Sequence, residues 1–144
     1  MSEILTPETI ELGANLDNQE EAIRRAGSLL VQNGNVDDRY VDSMFEREES
    51  VSTFMGNAVA IPHGTSESKQ WVERSGLSVI TVPEGVEYGD GNIAMLVIGI
   101  AGKGDEHLEI LSKIALVCSE EENVVKIVQA QTKEELLAFF EEVT

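Results

Sequence analysis

The sequence predicts an α/β fold: one domain with helices packed around a sheet of four or five strands. Three observations carry this. Leu77–Val82 and Ile93–Ala101 are uncharged runs of strand length, and the second reads as a strand at the centre of a sheet covered on both faces. Helical periodicity marks both ends of the chain. The 144 residues are 42% apolar and contain no Pro/Gly/Ser-rich linker, which suits one domain over residues 1–144 with a buried core.

The elements follow in order. Thr9–Leu12 (TIEL) suits a short edge strand. The segment DNQEEAIRRAGSLLVQNG predicts a helix capped by Asp17 or Asn18, with Ala22, Ile23, Ala26, Leu29 and Leu30 on its apolar face and Gly34 as its stop. VDDRYVDSMFEREE predicts a second helix with Tyr40, Val41, Met44 and Phe45 on one side. The stretch Ser50–Ser66 then carries no charge, in a chain that is 26% charged. Within it, AVAI reads as a short buried strand ended by Pro62. SESKQWVERSG suits a helical turn or short helix, and PEGVEYGDG a turn-rich connection between the two main strands. From Gly102 onward the pattern is helical to the end, with breaks near Ser119 and Gln131 and with Thr132 as a cap.

Composition restricts function. Ten basic residues against 27 acidic ones give a net charge of −17. This disfavours nucleic acid and anionic membranes, whose phosphates call for cations. It favours a basic protein partner met by electrostatic steering, or serves solubility alone. The longest uncharged apolar stretch, Asn92–Gly102, is too short to span a bilayer. No export signal is visible, so a cytoplasmic location is expected. The single cysteine, Cys118, fits a reducing compartment and reads as a buried helix residue. Aromatic content is 5%, so the core is expected to be Val, Ile, Leu and Ala; Trp71 reads as half-buried packing. No cofactor or metal is implied.

Two histidines stand out. His63 follows the AVAI strand, between Pro62 and Gly64, where α/β folds commonly place their sites. Pro62 fixes its own backbone angle and Gly64 frees the following turn, which makes a stiff mount for an imidazole. The alternative is a loop histidine at a tight turn. His107 lies near the start of the long helix in GKGDEHLEIL, with Asp105 as a plausible N-cap. Its alternative is a solvated residue of the first turn. If the two preceding strands are neighbours, both histidines emerge at one edge of the sheet. Arg47 is the last basic residue before the uncharged run, and its alternative is a local pair with Glu46, Glu48 or Glu49.

Two histidines and an arginine suggest phosphate handling. A neutral imidazole is a nucleophile near neutral pH, can take a phosphoryl group and can later release it. The group's added negative charge needs donors, which Arg47 and the first turn holding His107 can supply. Metal-dependent hydrolysis through His63, His107 and Asp105 or Glu106 is a rival, but no HExxH spacing is present.

The segment REESVSTFMGNAVAIPHG, Arg47 to Gly64, resembles the signature of enzyme IIA domains of the mannitol/fructose class. These belong to the bacterial phosphoenolpyruvate-dependent sugar phosphotransferase system. PEGVEYGDGNIAMLVIGIAGKGDEHLEIL and the C-terminal helices extend the resemblance over nearly the whole chain, closest to free-standing mannitol-specific members. It implies a mixed sheet of about five strands flanked by helices on both sides. It implies that His63 is phosphorylated, at Nε2, that His107 stabilises the phosphoryl group and that Arg47 neutralises charge. The implied donor is the small carrier HPr, and the implied acceptor is a cysteine on the IIB domain of the mannitol permease. Thr53 and Gly56 match as supports. A regulatory phosphohistidine module of the same fold is the alternative role. The uncharged run, with Phe54, Met55, Ala58 and Ile61, is expected mostly to bury, with any remainder forming an apolar patch around His63.

Overall fold

The computed structural model describes residues 4–143. Its sheet is organised by the two apolar runs. Strand β5 (Ile93–Ala101) pairs antiparallel with β4 (Gly76–Glu87) on one side and parallel with β3 (Val59–Ala60) on the other. Strand β1 (Ile10–Glu11) adds in parallel to β4, and β2 (Phe54–Gly56) pairs antiparallel with β3. The order is β1-β4-β5-β3-β2, a mixed five-stranded sheet as expected.

Alternation of side chains gives the sheet two buried faces. Ile80, Val82, Val97 and Ala101 face helices α1 (Gln19–Gln32) and α2 (Asp38–Ser50). Leu77, Val79, Leu96, Ile98 and Ile100 face α3 (Glu106–Cys118), α4 (Glu121–Val128) and α5 (Lys133–Val143). Each fully buried Leu or Ile contributes about 1.5–3 kcal/mol relative to an exposed one. The doubly covered β5 therefore reads as apolar throughout rather than alternating.

Helix ends follow their caps. Asn18, not Asp17, caps α1: its Oδ1 accepts from Glu21 N at 2.9 Å, while Glu21 Oε1 accepts from Asp17 N at 2.8 Å. Gly34, at φ +78°, follows the end of α1. The C-terminal helices break after Cys118 and before Lys133, and Thr132 Oγ1 accepts from Glu135 N at 3.0 Å. Cys118 is buried.

The sequence expectations need four corrections. Strand β2 was not anticipated, because three residues ending in glycine carry no periodicity. Strand β4 runs through Pro83–Glu87, where a turn was expected, and the real turn is Gly89–Gly91, all at positive φ. The register shifts between Thr81 and Val86, so a bulge absorbs the Pro-Glu-Gly that looked like a break. The N-terminal edge segment is shortened to two residues, after a 3₁₀ turn over Pro7–Thr9. Phe54, Met55, Ala58 and Ile61 are all half-buried rather than mostly buried: Phe54 and Met55 lie on the edge strand β2, and Ala58 and Ile61 flank the two buried residues of β3.

Candidate functional site

The site forms where the parallel neighbours β3 and β5 end. Pro62 O accepts from Ile100 N at 3.0 Å, and His63 continues the parallel pairing as a bridge to Ile100. Tyr40 locks this turn from α2. Its hydroxyl donates to Ile100 O at 2.8 Å and accepts from Gly64 N at 2.9 Å. Gly64 is required for its lack of a side chain: a Cβ there would lie 2.5 Å from both Ser43 Oγ and Ser68 Oγ and 2.7 Å from Tyr40 Cε1. Burial pushes the Tyr40 phenol up to about 12, so it stays a protonated link.

The His63 ring is then oriented by its own strand. Nδ1 lies 2.7 Å from Ile61 O. A carbonyl oxygen only accepts, so this bond places the ring proton on Nδ1 and leaves the lone pair on Nε2. The residue is 8% exposed. Its pKa lies below the ordinary 6.5, chiefly through burial, with the Arg47 charge lowering it further; the Ile61 bond and the Glu48 charge oppose this. The imidazole is neutral at neutral pH.

His107 reaches the same place from the first turn of α3, with its ring centroid 5.4 Å from that of His63 and the planes inclined at 55°. Gly102 makes this possible, since a Cβ there would overlap the His107 backbone. The loop into α3 is tied down by Ser75, whose hydroxyl donates to Glu106 Oε1 at 2.5 Å and accepts from Lys103 N at 2.9 Å. Asp105 occupies the N-cap position but makes no side-chain capping bond, because its backbone is already helical there. Burial, then the nearby His63 and Lys69, bring the His107 pKa down to about 4.

Arg47 lies in the last turn of α2 and donates from Nη1 to Val51 O at 2.7 Å. Among the described residues it forms no ion pair with Glu46, Glu48 or Glu49, contrary to the local alternative. Its charge acts on His63 instead. Thr53 is buried and donates from N and Oγ1 to Glu48, at 2.6 and 2.7 Å.

His63 and His107 therefore meet at one rim, and Arg47 is near enough for its charge to bear on His63. Sequence reasoning missed Tyr40, Glu48 and Lys69. Tyr40 was read only for its apolar ring, although a buried tyrosine hydroxyl needs a partner and so signals a tie. Lys69 was legible as the first basic residue after the uncharged run. Glu48 carried no separable signal within an acidic run. A groove of ≈ 430 Å³ between Asn57, Met95 and the Val124–Val128 face of α4 contains neither histidine. Among the described residues no group of three or more His, Cys, Asp or Glu is arranged to hold a metal.

The model of the phosphoenolpyruvate-dependent sugar phosphotransferase system EIIA 2 family matches residues 3–143. The chain belongs to this family. A mannitol-specific phosphotransferase enzyme IIA component from Geobacillus stearothermophilus is 59% identical over 140 residues, 97% of each chain. The crystal structure of IIA mannitol from Escherichia coli superposes with a TM-score of 0.86 at 36% identity, covering 94% of this chain and 97% of that one. The Escherichia coli IIA in complex with phosphorylated enzyme IIB of the mannitol system superposes at 0.88 with 33% identity, covering 96% and 99%. The mixed sheet with helices on both faces agrees with the superposition on IIA mannitol, and the chain, as a family member, is a phosphotransferase component. No described helix is long and apolar enough to cross a membrane.

Proposed function

We propose that this chain is a single enzyme IIA domain that carries a phosphoryl group from phosphorylated HPr, on His63, to a cysteine of a mannitol-type IIB domain, in the cytoplasm. The observation that carries the reading is the 2.7 Å bond from His63 Nδ1 to Ile61 O, which leaves Nε2 as an unprotonated nucleophile beside His107. The lone pair of Nε2 attacks phosphorus, a P–N bond forms and the bond to the donor breaks. In the second step the P–N bond breaks as a P–S bond forms on the acceptor cysteine. Little covalent help is needed, so catalysis is positioning and charge stabilisation. Arg47 supplies the fixed positive charge, and His107 donates one N–H to a phosphoryl oxygen.

Both partners are proteins, and the rim suits them. Leu108, next to His107, is 69% exposed, and Val51, which anchors Arg47, is 67% exposed. These apolar points on a chain of net charge −17 fit a small, quickly released interface with a basic donor. The relatives named for mannitol and the IIA–IIB complex support the mannitol assignment.

The test is incubation with enzyme I, HPr and phosphoenolpyruvate, followed by mass measurement. An acid-labile adduct of about 80 Da, one phosphoryl group, is expected on wild type and absent from His63→Ala. Onward transfer is expected to a mannitol-type IIB domain over IIB domains of other sugars. An adduct that persists in His63→Ala overturns the site. An adduct that reaches no IIB domain favours the regulatory alternative.

A further inference from the structure

Arg47 sits in a run of acids, yet among the described residues no carboxylate holds its guanidinium. One of its two immediate neighbours, Glu48, is fully engaged elsewhere. Its Oε2 accepts from Thr53 N at 2.6 Å and from Gln19 Nε2 at 3.4 Å. Its Oε1 accepts from Thr53 Oγ1 at 2.7 Å and from Tyr88 OH at 3.2 Å. The two hydroxyls are themselves 3.0 Å apart, Tyr88 is wholly buried and Thr53 is 5% exposed. Four donors thus hold one carboxylate. Burial and the Glu48 charge push the Tyr88 phenol well above its ordinary range, which keeps it a donor.

The Glu48–Thr53 bonds close the chain into a loop, and Val51 lies inside that loop. Its carbonyl is the group that holds Arg47 Nη1. We propose that Glu48 is a positioning residue for Arg47: its carboxylate, held by Thr53, Tyr88 and Gln19, folds the chain after α2 back so that Val51 O orients the guanidinium while Glu48 itself does not neutralise it. The proposal rests on the reading of Arg47 as the charge-stabilising group. An arginine paired with its own helix neighbour would have to break that pair at each phosphoryl transfer. Engaging the Glu48 carboxylate with four other donors takes that neighbour out of competition and builds the mount at once.

The experiment measures phosphoryl transfer from phosphorylated HPr through the protein to a mannitol-type IIB domain, giving kcat and KM, with a thermal melt for each variant. The variants are Glu48→Gln, Tyr88→Phe, Arg47→Ala and each of the first two combined with Arg47→Ala. Glu48→Gln is expected to lower kcat about tenfold with KM within about twofold, since the docking surface is intact. Tyr88→Phe keeps the carboxylate charge and is expected to move kcat the same way by less. Neither is expected to cost anything further in the Arg47→Ala background. Equal losses in both backgrounds, a rise in KM alone, or wild-type kinetics in Glu48→Gln would overturn the proposal. If Glu48→Gln melts below assay temperature, the Tyr88→Phe pair makes the same comparison. Wild-type kcat in Arg47→Ala would bring down the reading of the site and the proposal with it. A slow Arg47→Ala beside a normal Glu48→Gln brings down the proposal alone.

Discussion

His63 and His107 place their ring centroids 5.4 Å apart, although one follows β3 and the other opens α3. Burial holds both below the ordinary imidazole range, His63 lowers His107 further, and both are neutral at neutral pH. A neutral pair suits the proposed chemistry: one ring needs a free lone pair, and the other needs a single N–H to offer.

This pair sets a pH dependence. Phosphorylation of His63 is expected to be flat above about pH 6.5 and to fall on acidification through its lowered pKa. Stability follows the same sense. Both folded-state pKa values lie below the ordinary 6.5, that of His107 at about 4, so the unfolded chain binds more protons between these values. Stability therefore rises with pH through that window and is lost as pH falls. Urea midpoints at a series of pH values check this, and His107→Gln should flatten the slope. A midpoint that rises on acidification in that window would contradict it.

Arg47→Ala should slow phosphoryl transfer about 10²–10³-fold, the usual effect of removing one preorganised charge-stabilising donor. The fold should survive, because among the described residues the guanidinium makes only the exposed bond to Val51 O. His107→Ala should shorten the lifetime of the phosphoprotein or slow its onward transfer while leaving the melting temperature nearly unchanged. Single-turnover kinetics and a melt separate these effects, and wild-type rates in both variants would show the site misplaced.

Tyr40→Phe removes one hydroxyl and leaves two buried backbone groups, Gly64 N–H and Ile100 C=O, without that partner. A cost of about 1–3 kcal/mol is expected in denaturant unfolding. Transfer should fall as well, because the turn carrying His63 loses its tie to β5. Unchanged stability would mean that water replaces the hydroxyl.

Gly64→Ala should be worse for the site than its size suggests. The added methyl would meet Ser43, Ser68 and Tyr40 at 2.5–2.7 Å, so the His63 turn must move. A loss of about 1–3 kcal/mol is expected from overpacking, with a larger loss of transfer rate. The double variant Ser43→Gly/Gly64→Ala should recover part of it, and no recovery would point to the Ser68 side.

Cys118 should be inert. It is 1% exposed, and burial pushes its thiol up to about 12. Native protein at about pH 8 should resist iodoacetamide and label fully in urea. Fast labelling of the native state would show that α3 opens locally.

Much of the fold was legible because its signals are local. Nine uncharged residues, Ile93–Ala101, are the strand at the heart of the sheet, with the predicted bounds. The cap at Thr132 was readable from residue type alone, and that of α1 to within Asp17 or Asn18, of which the structure selects Asn18. What misled was punctuation. Pro83 and Gly85 read as a turn, yet β4 continues through them because the partner strand β5 supplies the ladder and a bulge takes up the extra residues. Strand β2 was invisible because its pairing with β3, not its composition, makes it a strand.

The candidate site divides in the same way. His63, His107 and Arg47 could be singled out in the sequence, since two histidines and an arginine bordering an uncharged run are conspicuous in an acidic chain. The Pro-His-Gly mount also declared its stiffness locally. The resemblance implied Nε2 of His63, but only the tertiary structure gives the physical reason that this nitrogen is free, because that depends on where Ile61 O falls. It alone showed that Arg47 is released from its acidic neighbours, because Glu48 finds Thr53, Tyr88 and Gln19 only when α1, α2 and the end of β4 converge. Residue types state which chemistry is possible, but hydrogen bonds between distant segments set protonation and free charge, and those bonds exist only once the chain has closed on itself.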